Sequence, residues 1–244
     1  LIALREEEGI SVRGLVDPSA GQLEKVSALF PKASRFQALD DARPSDFDFA
    51  IVASPQRFHA LQSTRLLRQG LHVLCEKPMA STVAEAEEMV EAARESRRLL
   101  AVGLFRRFFP STKFVKELVD CGPMGKAVSF AWSEGGAFNW PTAAPSFFQK
   151  AFSSGGVLAD LGTHVIDLLL HWFGEAIESD YEDDAMGGLE TNARLRLRFA
   201  CGVSGTVRLS RDTNIANGAR IEVEGGSIWF QGASADSVSA VKPK

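Results

Sequence analysis

The chain has 244 residues and a net charge of −4; 45% of the residues are hydrophobic and 24% are charged. This composition is typical of a folded globular protein, and the length allows one large domain or two modest ones. We expect no nucleic-acid partner, because no run of lysine and arginine is interleaved with aromatic residues. We expect no membrane partner either, because the apolar runs fall far short of the roughly 18 residues that a membrane-spanning helix requires.

Three cysteines, Cys75, Cys121 and Cys201, are scattered along the chain. An odd number of cysteines at irregular spacing fits neither a disulfide framework nor a zinc site. The cysteines therefore indicate a reducing environment, and we predict a cytoplasmic protein.

The first half of the chain alternates between short apolar segments and segments with helical spacing. The apolar segments predict strands at residues 11–17, 47–53, 71–75 and 99–104, and the helical segments lie at 20–30, 57–69 and 82–97. Thr82 and Glu85 have the spacing of a capping box at the start of the last of these helices. Apolar strands separated by helices are typical of a parallel sheet covered on both faces, which predicts a doubly wound α/β fold.

Polar or conformationally restricted residues follow the predicted ends of these strands. They are Asp17, Ser54 with Pro55, Glu76 with Lys77, and Arg106 with Arg107. In a doubly wound sheet, ligands gather outside the carboxyl ends of the strands. These residues are therefore the first candidates for a functional site.

The pattern changes after Pro110. A helix is predicted at about residues 111–120, a strand at 126–133, an aromatic loop at 138–141, a long apolar helix at 157–173, and a meander of strands at 193–199, 203–210, 220–224 and 228–230. Strict alternation in the first strand of this meander predicts one buried face and places its arginines on the other face. We therefore predict an α+β domain with a largely antiparallel open sheet, and domains spanning 1–107 and 108–244.

Four titratable residues recur along the long predicted helix at spacings of four, three and four: Asp160, His164, Asp167 and His171. This spacing places them on one face of an α-helix. Their neighbours are apolar, and burying ionisable groups is costly unless they are paired or functional. Gly162 in the same helix costs about 1 kcal/mol relative to alanine. A ligand or another backbone passing close to Gly162 would account for it.

Three interpretations of this stripe are open from the sequence alone. In a structural one, Asp160 and His171 suit the two ends of the helix dipole, and Asp167 pairs with an arginine of the neighbouring sheet. In a metal-binding one, Asp and His at helical spacing ligate zinc or iron, but no cysteine or second histidine pair lies nearby, so we expect no metal. In a catalytic one, Asp160 orients His164, which takes a hydroxyl proton during hydride transfer. Lys77 would then stabilise oxyanion charge or share in the proton transfer.

Two segments of the sequence resemble the signature pair of one enzyme family. Residues 75–78 (CEKP) and 155–164 (GGVLADLGTH) resemble the signatures of the glucose–fructose oxidoreductase, inositol dehydrogenase and rhizopine-catabolism family, abbreviated Gfo/Idh/MocA. Residues 103–108, 202–205 and 209–211 fit the same pattern, and the resemblance extends from residue 11 to residue 232. It implies a Rossmann-type first domain and a nicotinamide-dependent oxidoreductase.

The resemblance also implies roles for individual residues. The implied catalytic residues are Lys77, Asp160 and His164, which would also contact the substrate, and the implied cofactor contacts are Asp17 and Glu76. Further cofactor candidates are Ser54, Pro55, His59, Lys77 and Arg106. A carboxylate at Asp17 repels a 2′-phosphate, which favours NAD over NADP, the alternative cofactor. Gln56 departs from the asparagine that is common in the family, so cofactor contacts at that loop are left open. Asn139 and Trp140 are further substrate candidates, because an amide and an aromatic ring suit a sugar.

A Rossmann fold begins with a strand and a Gly-rich turn that seats the pyrophosphate, and this sequence contains neither. Residues 1–9 resemble the tail of the helix that follows such a turn. We therefore expect a chain truncated at both ends, with roughly 25 residues missing at the start, since a βα unit has about 30 residues. We also expect the chain as given to bind its cofactor poorly.

The function predicted from the sequence is NAD(P)-dependent hydride transfer to or from a sugar, cyclitol or similar polyhydroxylated molecule. One alternative is a glycosidase of the same fold that uses bound NAD for transient oxidation. Another is a non-catalytic regulator that senses a nucleotide or sugar, although such a protein would be expected to lose Lys77, Asp160 or His164. The open sheet predicts a homodimer or homotetramer.

Overall fold

The computed structural model describes Leu4, Glu7 and residues 9–139, 148–231 and 238–241. Parallel strands alternating with helices form the first half of the chain, and a helix lying on a mostly antiparallel sheet forms the second half. None of the described helices has the length and hydrophobicity needed to cross a lipid bilayer.

The parallel strands fall into two hydrogen-bonded groups in the described residues. Strand β1 (Gly14–Val16) pairs with β2 (Ser34–Phe36), and β3 (Phe49–Val52), β4 (His72–Cys75) and β5 (Leu100–Val102) form the other group. The helices between them are α1 (Ala20–Ser27), α2 (His59–Arg68) and α3 (Val83–Ser96). Strand β2 was not predicted, because its sequence, Ser-Arg-Phe, is too short and too polar to form an apolar run.

Helices α2 and α3 pack on the β3–β5 group through an apolar core. Its buried side chains include Leu67 and Met89 from the helices and Val73 and Cys75 from β4. The capping box predicted at the start of α3 is present, because the Thr82 hydroxyl accepts the Glu85 main-chain N–H at 3.2 Å and the Glu85 carboxylate accepts the Thr82 N–H at 3.1 Å. These contacts fix where the loop between β4 and α3 ends.

In the described residues, the second half contains a seven-stranded sheet and two α-helices. Its helices are α4 (Pro110–Cys121) and α5 (Thr163–Phe173), and its strands are β6 (Ala127–Gly135), β7 (Ala176–Asp183), β8 (Asn192–Phe199), β9 (Ser204–Ser210), β10 (Gly218–Val223), β11 (Gly226–Phe230) and β12 (Val238–Val241). The strand order is β12-β11-β10-β6-β9-β8-β7, and every pair is antiparallel except β6 with β9. The predicted meander missed β7 and β12, the two edge strands, whose side chains are mostly exposed and lack apolar alternation.

Helix α5 covers one face of this sheet and builds the larger core. Trp172 of α5 stacks on Trp132 of β6 with ring centroids 5.6 Å apart, and Phe173 packs against Phe130 and Phe199. The arginines of β8 lie on the opposite, exposed face, as the alternation predicted. No helix of the described residues lies on that outer face.

The long predicted helix is present, but its first turn, Leu158–Gly162, is a π-helix rather than an α-helix. A π-turn adds a residue to the turn and often occurs at functional sites. Residues before and after it are therefore rotated relative to an ideal α-helical stripe. The close neighbours of Gly162 are the side chains of Leu158 and Leu209, so the expected approach of another backbone was wrong, while the approach of a ligand stays a prediction.

Candidate active site

Lys77 links the two halves of the molecule. It follows β4, and its ammonium donates to the Asp160 carboxylate oxygen Oδ1 at 2.6 Å and to the Asp160 main-chain oxygen at 3.1 Å. Asp160 lies in the π-turn before α5. The sequence analysis predicted both residues, and the fold brings them into direct contact from positions 83 residues apart.

The Asp160 carboxylate contacts a second cation. Its other oxygen, Oδ2, accepts from the guanidinium of Arg211, the residue directly after β9. The side chains of Lys77, Asp160 and Arg211 are 19%, 13% and 15% exposed, so this ion triplet is largely enclosed. No group of three or more histidine, cysteine or acidic side chains in the described part of the chain could hold a metal ion.

His164 lies one turn after Asp160, but it does not receive the expected contact from that carboxylate. Its buried Nδ1 atom has no hydrogen-bond partner among the described residues, and its ring is packed edge-on against Phe105 at 5.2 Å. The carboxylate is engaged by Lys77 and Arg211 instead. The π-turn changes the relative direction of the two side chains, which the α-helical spacing could not show.

Burial and positive neighbours shift the proton affinities of His164 and Lys77. Burial, followed by the charges of Arg106 and Lys77, lowers the pKa of His164 to about 3. Burial is also the main cause that lowers the pKa of Lys77 to about 8; Glu76 opposes this, and Arg211 and Arg106 add to it. His164 is therefore neutral at physiological pH, while Lys77 titrates close to it.

Arg106 forms a buried ion pair beside this triplet. Its guanidinium donates two hydrogen bonds to Glu134 of β6, at 2.9 and 2.7 Å, and Trp132 donates to the same carboxylate at 3.3 Å. The side chains of Arg106 and Glu134 are 10% and 5% exposed. Arg106 and Glu134 therefore form a buried ion pair between the turn after β5 and β6.

The predicted cofactor residues of the first half lie at the carboxyl ends of the strands. Asp17 follows β1, and its carboxylate accepts the Ser19 N–H at 2.8 Å while staying partly accessible. Glu76 is exposed after β4, next to Gly103. Pro55 is exposed, and the Ser54 hydroxyl donates to Gln62 at 2.7 Å.

His59 has a different environment from the one expected of a cofactor ligand. It is 1% exposed, and its two ring nitrogens lie 2.8 Å from the main-chain oxygens of Pro78 and Ser54. No polar atom of the ring is left to face a bound molecule. His59 therefore connects the loop after β3 to the loop after β4, and a direct contact with the cofactor stays a prediction.

The remaining predicted residues are Asn139, Trp140 and Asp167. Asn139 is exposed and follows Phe138, and the N–H of Phe138 donates to the Arg211 carbonyl at 2.9 Å. Trp140 lies outside the described residues. Asp167 pairs with Arg107 at 2.8 Å, an arginine of the turn after β5 rather than of the neighbouring sheet. Asp167 therefore pairs with a different cation from the two that contact Asp160.

Three residues that hold the site together were not predicted: Arg211, Glu134 and Glu190. The Glu190 carboxylate accepts the N–H groups of Gly156 and Leu158 at 2.8 and 2.9 Å, at the start of the π-turn. A side chain at Gly156 would overlap the main-chain oxygen of Glu190. The glycine pair 155–156 was the one sequence signal for this close approach.

Two family models match the chain. Residues 1–104 match an oxidoreductase family with an NAD-binding Rossmann fold, and residues 112–230 match the GFO/IDH/MocA C-terminal domain. The chain is 27% identical over 221 residues to a levoglucosan dehydrogenase of Pseudarthrobacter phenanthrenivorans, covering 76% of this chain and 55% of that protein. It is 31% identical over 167 residues to a D-glucoside 3-dehydrogenase of Escherichia coli, covering 66% of this chain and 46% of that protein. The chain thus spans about half the length of these relatives.

Solved structures share the fold. A levoglucosan dehydrogenase in complex with NADH and levoglucosan has a TM-score of 0.84 at 22% identity, covering 95% of this chain and 67% of that one. The WlbA dehydrogenase of Bordetella pertussis in complex with NADH and UDP-GlcNAcA has a TM-score of 0.87 at 21% identity, covering 100% of this chain and 74% of that one. Both show a Rossmann-like parallel sheet followed by a mostly antiparallel sheet domain. With both halves matched by models of one family, the chain belongs to the Gfo/Idh/MocA family of NAD-binding oxidoreductases.

Proposed function

We propose that this protein is an NAD-dependent dehydrogenase or reductase that transfers hydride between nicotinamide and a CH–OH or carbonyl group of a sugar, cyclitol or similar polyhydroxylated molecule. The observation that carries the proposal is the contact between Lys77 and Asp160, which places a titratable amine where the two halves meet. The names of the relatives support this substrate class, since they include dehydrogenases of levoglucosan and of myo-inositol.

The residues present fit the cofactor. Asp17 and Glu76 offer accessible carboxylates at strand ends, and the buried Nδ1 of His164 lacks a partner among the described residues. We assign Asp17 to the adenosine ribose, which favours NAD over NADP, and Ser54, Pro55, Glu76 and Lys77 to contacts nearer the nicotinamide. When bound, the cofactor supplies the hydride donor or acceptor.

Lys77 is the residue that we assign to proton transfer. Its pKa of about 8 lets the amine take the hydroxyl proton during oxidation and the ammonium return it during reduction. His164, whose pKa is about 3, stays neutral and is a poor proton carrier; it hydrogen-bonds the substrate oxygen instead. Asp160 orients the Lys77 amine. The sequence analysis expected His164 to take the proton, with Asp160 stabilising the charged imidazole. In the described residues, Asp160 contacts Lys77 instead of His164.

For the substrate, we propose contacts from Lys77, Asp160, His164, Asn139 and Trp140. The position of Asn139 supports this, because its amide is exposed and the preceding residue, Phe138, donates its N–H to the Arg211 carbonyl. We further propose that residues 1–107 hold the cofactor and residues 108–244 hold the substrate, a division supported by the gap between the matched regions, 1–104 and 112–230.

We propose a cytoplasmic homo-oligomer, a dimer or tetramer joined through the outer face of the seven-stranded sheet. Free thiols at Cys75, Cys121 and Cys201 support a reducing compartment. Trp229 supports this assembly, because it is a large apolar side chain that is 48% exposed on the outer face. The guanidinium carbon of Arg220 lies 5.1 Å from the centroid of its ring.

The experiment is a panel of sugars, glycosides and cyclitols with the full protein and NAD or NADP, followed by absorbance of the reduced cofactor. We expect net reduction of NAD with at least one substrate, and a loss of turnover of about 100-fold or more in Lys77→Ala, with a smaller loss in His164→Ala. Release of a sugar without net reduction would indicate a glycosidase. Cofactor binding without turnover of any kind would indicate a regulator.

A further inference from the structure

We propose that Arg211 is a positioning residue for this reaction: it holds one carboxylate oxygen of Asp160, aims the other at the Lys77 amine, and adds a positive charge beside that amine. The inference rests on the proposed function, to which it adds a residue that the resemblance did not assign. Its contact with Asp160 joins positions 51 residues apart in the sequence.

The backbone fixes Arg211 in place on both sides. Its N–H donates to the Thr191 carbonyl at 2.9 Å, and its carbonyl accepts from Phe138 at 2.9 Å. Ser210, the preceding residue, is fully buried at the end of β9. The backbone that carries the Arg211 side chain is therefore held firmly at the end of β9. Its guanidinium is planar and weakly hydrated, which suits an enclosed ion pair.

Two donors on opposite oxygens restrict the Asp160 carboxylate. Lys77 contacts Oδ1 and Arg211 contacts Oδ2, so rotation of the carboxylate would break both contacts. Without Arg211, the Oδ2 atom would lose this partner while staying partly buried, and Oδ1 alone would accept from Lys77. The carboxylate could then turn, and the amine would lose its fixed direction toward the substrate.

Arg211 also acts on Lys77 through charge. The charged groups around Lys77 are Glu76 beside it, Asp160 from the π-turn, Arg211 after β9, and Arg106 with its partner Glu134. Lys77 and Arg211 both contact the Asp160 carboxylate, while Glu134 pairs with Arg106. Removing Arg211 removes a repelling cation and leaves more of the Asp160 charge to Lys77, and both changes stabilise the ammonium.

The test measures the pKa of Lys77 by NMR titration of the full protein labelled with isotopic lysine, in which the Lys77 signal is identified by its loss in Lys77→Arg. We expect Arg211→Gln to raise the pKa of Lys77 by about one unit. Arg211→Lys, which keeps the charge, should leave the pKa of Lys77 near the wild-type value. The matched control is Arg94→Gln, because Arg94 also pairs with a carboxylate, Glu91, but on the exposed surface of α3.

Activity supplies the second readout. On a substrate that the wild type turns over, Arg211→Gln should lower kcat by about tenfold or more with a smaller change in KM, and Arg211→Lys should recover part of the loss. Arg211→Met, which keeps the aliphatic bulk, replaces Arg211→Gln if that variant does not fold. A folded variant of either kind with an unchanged Lys77 pKa overturns the proposal. If the wild type oxidises nothing in the panel, the proposed function fails, while the pKa comparison, which needs no turnover, still decides the role of Arg211.

Discussion

At the scale of single residues, the site contains two kinds of charged residue. Lys77 and Asp160 lie in the two segments that resemble the family signatures, 75–78 and 155–164, and the sequence predicted both residues for that reason. Arg211 and Glu134 stand at strand ends, and no role was predicted for either, although residues 209–211 fit the family pattern; their partners are 51 and 28 residues away. Sequence spacing could propose the members of the site, but only the fold could show which side chains pair.

The buried pair of Arg106 and Glu134 gives a prediction at this scale. Replacing Glu134 by leucine leaves the Arg106 charge buried and uncompensated, and we expect the free energy of unfolding to fall by about 3–5 kcal/mol in urea denaturation. The double variant Arg106→Met/Glu134→Leu should recover most of this loss. As a control, Glu91→Gln removes a surface pair and should leave stability unchanged. A Glu134→Leu protein as stable as the wild type would contradict the role given to this pair.

At the scale of elements, strong periodicity predicted most of the fold. The capping box of α3, the apolar stretch of α5 and the alternation in β8 each identified their element. Edge strand β7 escaped because its exposed side chains are mostly polar, and edge strand β12 escaped because its four residues, Val-Ser-Ala-Val, are too few to show an alternation. The π-turn at Leu158–Gly162 escaped because a single extra residue in a helical turn leaves no trace in apolar spacing.

The start of that π-turn provides the prediction for the element scale. Gly156→Ala would drive a Cβ into the Glu190 main-chain oxygen, whose position is fixed by a hydrogen bond from Val157 at 2.9 Å. We expect a loss of about 3 kcal/mol in unfolding free energy together with reduced turnover. Gly21→Ala is the matched control, because the added Cβ in α1 meets only the Ser19 hydroxyl at 4.0 Å. That control should stabilise the protein by up to about 1 kcal/mol, and equal effects of the two substitutions would refute this account.

At the scale of the whole molecule, the site lies where the two halves meet. Lys77 with Asp160, Arg106 with Glu134, and Arg107 with Asp167 all join a loop of the first half to the sheet or helix of the second. The sequence predicted two halves of different architecture, but it could not show that ion pairs join them. This arrangement supports the proposed hydride transfer, in which cofactor and substrate would meet between the halves.

The outer face of the seven-stranded sheet gives the prediction for assembly. We expect light scattering after size-exclusion chromatography to give twice or four times the mass of one full protein. Trp229→Glu, which places a charge in the proposed interface, should shift the protein toward the monomer without unfolding it. A monomeric wild type at micromolar concentration would end the proposal of an oligomer.

The most direct test of the central claim is the pH dependence of kcat/KM for the reaction with NADH and the oxidised substrate. In the proposed reaction the ammonium of Lys77 donates the proton, so kcat/KM should fall as the pH rises through the Lys77 pKa of about 8. Lys77→Arg should be slow and should lack this transition, while His164→Asn should keep it. The opposite pattern, a transition that survives in Lys77→Arg and disappears in His164→Asn, would contradict the assignment of Lys77 as the proton carrier.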